Sequence, residues 1–234
     1  DHILLAKVQI HDKTKIQLKA AGGVDVKTPL SSLRWNGQLT ELSSSGKIPI
    51  RLMSPTKVSI SPEQASLGQT TFSISDGHIH IDQLQWTPQD WKTRGNFTGI
   101  ALLPGEHPEL KQPFLHLGGH WDFTSNTQLT GNLHIHREKG DWYLPGEVPQ
   151  PIGLEIMQLK LAARDEKITG KFELISQYIG TADAHLTLPI QQSNHRWSIS
   201  EHAPLSGEVI ANIANLKWID PILGDSINID GQLR

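Results

Sequence analysis

Gly77-His-Ile-His-Ile-Asp-Gln-Leu-Gln-Trp86 is a glycine followed by apolar and polar residues in alternation. Side chains on a strand point alternately to opposite faces, so the stretch reads as a strand with one apolar and one polar face. Its apolar positions 79 and 81 give way to 84 and 86, and that odd step implies a β-bulge near Gln83. The same phrase returns after Gly119, Gly131, Gly170, Gly180 and Gly207, with partial copies after Gly37, Gly95 and Gly231. Glycine at the head of each copy suits a turn or bulge between strands. The intervals between copies are irregular, which argues against a solenoid or propeller of fixed period. What the pattern predicts is an all-β chain of amphipathic strands joined by short turns, with almost no helix.

The rest of the chain extends this reading. Alternation predicts strands at 6–10, 16–20, 33–39, 48–52, 58–60, 71–74, 79–86, 97–102, 114–117, 121–123, 129–136, 142–144, 154–162, 168–174, 182–188, 197–199, 209–213, 216–218 and 227–233. Gly22-Gly23 reads as a hinge or tight turn. The proline-rich stretches 104–113 and 145–151 read as loops, Asp165-Glu166 as a solvated hairpin tip, and 218–223 as one short turn of helix. No composition shift marks a domain boundary, so residues 1–234 are expected to form a single segment. A start at Asp1 suggests an excised piece of something longer.

Composition narrows the function. The 234 residues carry a net charge of −3, which offers no general attraction to nucleic acid. With no cysteine, disulfides, thiolate metal sites and cysteine nucleophiles are excluded. No apolar run approaches the ~20 residues of a membrane helix. Twelve histidines invite a metal reading, since His78-x-His80 and His134-x-His136 each place two imidazoles on one strand face, with His116 and His120 close by in sequence. The amphipathic pattern demands a polar residue at those positions in any case, and elsewhere it is met by Lys171, Glu173, Glu208 or Asn212. No carboxylate recurs at a fixed spacing to complete a site, so no metal and no cofactor is expected. The chain has no nucleophile elbow, phosphate-binding loop, dinucleotide fingerprint or calcium loop, and it is not expected to be an enzyme. Its seven tryptophans read as packing or lining an apolar surface.

Several phrases occur in a familiar order. Leu33-Arg-Trp-Asn-Gly-Gln-Leu-Thr-Glu-Leu42 is followed by Ile48-Pro-Ile-Arg-Leu-Met-Ser-Pro-Thr-Lys-Val-Ser-Ile60 and by 77–86. Leu117-Gly-Gly-His-Trp-Asp-Phe123, Gly131-Asn-Leu133, Lys139-Gly-Asp-Trp-Tyr-Leu-Pro-Gly146 and Pro151-Ile-Gly-Leu154 come next. Ala203-Pro-Leu-Ser-Gly-Glu-Val209 and Asn215-Leu-Lys-Trp218 close the series. Together, over nearly all of the chain, they resemble the middle part of the TamB family, the inner-membrane component of the translocation and assembly module within the AsmA-like superfamily.

That resemblance implies an elongated, curved, taco-like (U-shaped) β-sheet with an apolar groove, held in the periplasm of a Gram-negative bacterium by a single inner-membrane anchor. It implies phospholipid transport between the inner and outer membranes, with phospholipid acyl chains as ligands. It implies the outer-membrane barrel TamA as a partner of the full-length protein, contacted through a C-terminal end that lies outside these residues. The groove lining is expected at the apolar positions Ile79, Ile81, Phe97, Leu133, Ile135, Phe172, Leu174, Leu186, Leu188, Val209 and Ile213. An alternative from another class is a scaffold or chaperone-like module that assists outer-membrane protein (autotransporter) assembly through exposed strand edges. A third is a closed β-sandwich or barrel with a dry core and no ligand.

Overall fold

The computed structural model describes residues 2–10, 14–24, 33–46, 48–102, 115–144, 150–193, 196–199 and 204–213. Every regular element among them is a strand. In chain order these are β1 (His2–Ile10), β2 (Thr14–Val24), β3 (Trp35–Ser45), β4 (Ile50–Leu52), β5 (Thr56–Ser61), β6 (Gln64–Leu67), β7 (Thr70–Ile74), β8 (Gly77–Trp86) and β9 (Trp91–Ala101). They continue as β10 (His116–Ser125), β11 (Leu129–Lys139), β12 (Tyr143–Leu144), β13 (Gln150–Pro151), β14 (Leu154–Arg164), β15 (Lys167–Ser176), β16 (Gly180–Ser193), β17 (Arg196–Ile199) and β18 (Ser206–Ile213). The chain is therefore all-β and antiparallel, as the alternation predicts. The residues group into two units, one of Asp1–Ile100 with His120–Gly131 and one of Ala101–Gly119 with Asn132–Arg234.

In the first unit β1 pairs with β2 and β2 with β3. From β3 the sheet divides into two short ladders. One runs through β4 and β7, the other through β5 and β6, and both end on β8, which pairs with β9. Two bulges keep the apolar residues in phase across this division. On β8 the extra residue is Asp82: Ile81 lies opposite Gly95, while Gln83 lies opposite Arg94. Ile79, Ile81, Leu84 and Trp86 thereby all reach one face. On β3 the extra residue is Thr40, so that Leu39 and Leu42 stay on the face of Ala20 and Leu18. A bulge adds one residue to one strand and resets the face of all that follows, which is why the odd step in the sequence was informative.

The glycines play a different part from the one expected. Gly77 and Gly180 do begin strands, but Gly37, Gly95, Gly119, Gly131 and Gly170 lie inside them. Gly22-Gly23 is no hinge either, because β2 runs straight through it. The reason lies across the ladder. Gly22 faces Gly37, and the indole of Trp35 lies over both. A β-carbon at Gly22 would come within 2.3 Å of the Asn36 carbonyl oxygen and 2.7 Å of Trp35 Cζ2. Gly95 is covered in the same way by Trp121, whose indole nitrogen donates to Thr93 Oγ1 at 2.8 Å. Aromatic rings seated on strand glycines recover apolar contact that glycine itself lacks.

In the second unit β14 pairs with β15 and β15 with β16, while β16 carries β18 on its first half and β17 on its last residues. The hairpin tip at Asp165 and Glu166 has φ of 51° and 56°, the positive values of a two-residue turn whose twist matches its strands. A small cluster holds this unit at one end. Leu115, Ile152 and Leu154 are buried, and Leu117, Leu144, Met157, Leu174 and Ile179 pack against them. Residues 150–151 belong to this region as β13, paired with β12, rather than to a loop. The expected loop at 104–113, residues 145–149 of the second one, the tail strands at 216–218 and 227–233, the helical turn at 218–223, Trp218 and Gly231 all lie outside the described residues.

Asp141 anchors the cluster. Its Oδ2 accepts from Gly153 N at 2.9 Å, and its Oδ1 accepts from Leu154 N at 3.0 Å and from Trp142 N at 2.8 Å. Leu154 is itself buried, so removing the carboxylate strands a donor away from water. Asp141→Ala is expected to cost about 1–3 kcal/mol, and Asp141→Asn less, because the amide keeps one acceptor oxygen. Urea melts of the two variants check this; equal midpoints for both and for the parent would show the carboxylate to be idle.

Candidate functional site

Residues directly opposite each other on paired strands share a face, so the registers assemble the surface of each unit. In the first unit one row is Leu52, Phe72, Ile79 and Phe97, and another is Trp35, Ile60, Ala65, Trp86 and Trp91. Phe97 continues to Trp121, with ring centroids 6.5 Å apart. The opposite face is polar: Arg51, Ser73, His78 and Thr98 form one row there, and Thr71, His80 and Asn96 another. In the second unit Leu159, Phe172, Ala184 and Val209 form a row, and Met157, Leu174, Ala182 and Ala211 the next. Their reverse side carries Lys160, Lys171, His185 and Glu208.

Each unit therefore has one apolar face, and the described residues leave much of it open. In the second unit the buried cluster covers the end near Leu174. Farther along the same face Leu186 is 41% exposed and Val209 68%. In the first unit Ile60, Leu84 and Trp86 are exposed on the apolar side. A side chain open to water forgoes about 25 cal/mol for each Å² it leaves unburied, so such a face gains from any apolar occupant.

Of the expected lining, Ile79, Ile81 and Phe97 come together on the first unit's apolar face. Phe172, Leu174, Leu186, Leu188, Val209 and Ile213 come together on the second's. Leu133 and Ile135 are half-buried on β11, two residues apart and so on one face, alternating with His134 and His136. Sequence reasoning predicted a strand at 154–162 but assigned no residue of β14 to the lining, and it left out Leu52, Ile60, Phe72 and Trp86 as well. On β14 a register shift between Leu154 and Ile156 moves the apolar phase onto Met157, Leu159 and Leu161. The alternation from 157 onward was the signal, obscured by the irregularity before it.

Among the described residues the histidines do not converge on a metal-binding group. His80 Nδ1 lies 2.8 Å from Thr71 Oγ1 and its Nε2 lies 3.3 Å from Asp82 Oδ1, while His78 is exposed. His134 and His136 sit with ring centroids 5.2 Å apart and are half-buried rather than fully solvated. Among the described residues no group of three or more histidines and carboxylates is arranged to hold a metal ion. Besides apolar side chains, the first unit's apolar face carries the hydroxyls of Thr70, opposite Ile81, and Thr93, opposite Leu84; the rows named above place no charged residue on either apolar face. Compared with known proteins, the chain matches no protein-family model, no curated protein and no solved structure.

Proposed function

We propose that this chain is a segment of a periplasmic bridge that carries phospholipids between the inner and outer membranes along a hydrophobic groove. The observation that carries the reading is the apolar face of each unit, open at Ile60, Leu84 and Trp86 in the first and at Leu186 and Val209 in the second, with the charged residues of the paired rows on the other side. An acyl chain laid on such a face gains about 0.8 kcal/mol for each methylene removed from water. The headgroup stays in solvent, and no catalytic group is needed. The family resemblance of the phrases supplies the compartment, the inner-membrane anchor and the partner barrel TamA of the parent protein. In this reading the sheet is elongated and curved into a U that shelters the lipid. Small-angle scattering should then give a radius of gyration well above the ~17.5 Å of a compact globule of this length.

Site-specific photo-crosslinking tests the assignment of the groove. A photoreactive residue at Phe172 or Leu186 is expected to capture phospholipid in cells, and one at Lys171 or His185, on the reverse face, is not. Equal capture from both faces would reject a groove. The second reading, edge-strand assistance to outer-membrane proteins, is favoured by β1. That strand pairs only with β2 among the described strands, and Ile3, Leu4 and Leu5 on it are all exposed. It predicts that proline at edge positions of β1 abolishes function while groove variants retain it.

A further inference from the structure

The polar face of the first unit holds a hollow that the groove does not use. Lys15 faces Ser45 across β2 and β3, Ser43 faces Arg51 across β3 and β4, and Arg51 faces Ser73 across β4 and β7. These residues, with Ser75, line a cavity of about 460 Å³. Its shape is set by backbone: Ser75, at φ 50°, turns the chain out of β7, and its N–H donates to the Pro49 carbonyl oxygen at 2.9 Å. Ser44 Oγ is already used, accepting from Ile50 N at 3.2 Å, and Ser73 Oγ makes a long bond of 3.5 Å to the Arg51 carbonyl oxygen that a closer acceptor would replace. Among the described residues no carboxylate lines the cavity, and neither Lys15 nor Arg51 has an ion-pair partner. A neighbouring hollow of about 440 Å³ shares Lys15 and adds Lys7, and no carboxylate among the described residues lines it.

We infer that this hollow is a binding site for a phosphate group, held by Lys15 and Arg51 and by the hydroxyls of Ser43, Ser45, Ser73 and Ser75. Two cations on a rim of hydroxyls fit a tetrahedral oxyanion. The guanidinium offers paired donors to two oxygens, the ammonium adds a point charge, and serine hydroxyls rotate to donate to the rest. A chain of net charge −3 has no general excess of cations, so two without an anionic partner in one concavity are a local feature. The site opens on the face opposite the groove, and its loss would leave the proposed lipid path intact.

The phosphate could belong to a soluble ester or to a lipid headgroup, and two experiments on the whole chain separate them. The first titrates inorganic phosphate at constant ionic strength against amide chemical shifts. The second floats the protein with vesicles of phosphatidylglycerol or of phosphatidylcholine. Each is run on the parent, on Lys15→Gln, on Arg51→Gln and on Lys92→Gln, an exposed cation of the same face outside the hollow. Saturable shifts at Ser43, Ser45, Ser73 and Ser75, weakened at least about tenfold by Lys15→Gln or Arg51→Gln and unchanged by Lys92→Gln, support a soluble phosphate ligand. Flotation with phosphatidylglycerol vesicles that Arg51→Gln abolishes and Lys92→Gln spares, without saturable shifts from phosphate alone, supports a headgroup. Absence of binding in both experiments overturns the site. So does an equal response of Arg51→Gln and Lys92→Gln, which would reduce the effect to general charge attraction.

Discussion

Leu186→Arg is expected to leave the chain folded and, if the proposed lipid path is right, to abolish lipid binding on this face. Leu186 is already 41% exposed, and it stands opposite Gly170 on one side and Gly207 on the other. An arginine there can lay its methylene stem along the neighbouring apolar surface and hold its charge in water. The cost in stability should be about 1 kcal/mol or less, the part of the leucine contact that is lost. An acyl chain on the face would meet a charge with its hydration shell, and occupancy should fall below detection. Leu174→Arg makes the contrast, although it shares the same face. Leu174 packs against the cluster of Leu115, Ile152 and Leu154, the first and last of which are 2% and 3% exposed. A charge there would break into the packing of that buried cluster, and a loss of about 3 kcal/mol or more is expected. Thermal melts paired with lipid quantification separate the two; comparable unfolding by both variants would mean that the face is covered along its whole length.

Gly95→Val should be among the most damaging single changes in the first unit. A β-carbon at position 95 would stand 2.3 Å from the His80 carbonyl oxygen and 2.6 Å from the Trp121 ring. Moving the ring alone does not relieve a contact with backbone. A loss of about 3 kcal/mol or more is expected, and Trp121→Ala in the same chain should recover only a small part of it. Gly170→Ala should go the other way. A β-carbon there meets only Leu161 Cδ2 at 3.2 Å and Leu186 Cβ at 4.0 Å, and the first is the movable end of a side chain. Replacing glycine in extended backbone narrows the unfolded ensemble, so this variant should be neutral or more stable by about 0.5 kcal/mol. Denaturant midpoints read both signs in one series.

The contrast between these glycines shows how far the sequence could be read. Alternation alone placed most strands, and the step from Ile81 to Leu84 located the bulge to within one residue of Asp82. Both are local signals carried by side-chain period. What a glycine does in mid-strand depends on the residue opposite, and Trp35 over Gly22 or Trp121 over Gly95 is a pairing between distant segments that no local pattern contains. The expected lining residues were legible as a face for the same local reason. Their unequal exposure was not, because Leu174 is covered by Leu115 and Ile152, which come from other stretches of chain. The branching of the first unit was also hidden. β6, Gln64–Leu67, is too short and too weakly patterned to announce itself, yet it closes the ladder between β5 and β8.

Native mass spectrometry of the chain purified from bacteria without added lipid tests the central claim most directly. The account predicts peaks displaced from the apoprotein by phospholipid masses, removed by Leu186→Arg and Val209→Arg while both variants keep the parent's melting profile. A parent chain that is lipid-free under conditions in which it is folded, or lipid peaks that persist unchanged in both arginine variants, would contradict a lipid path along this face.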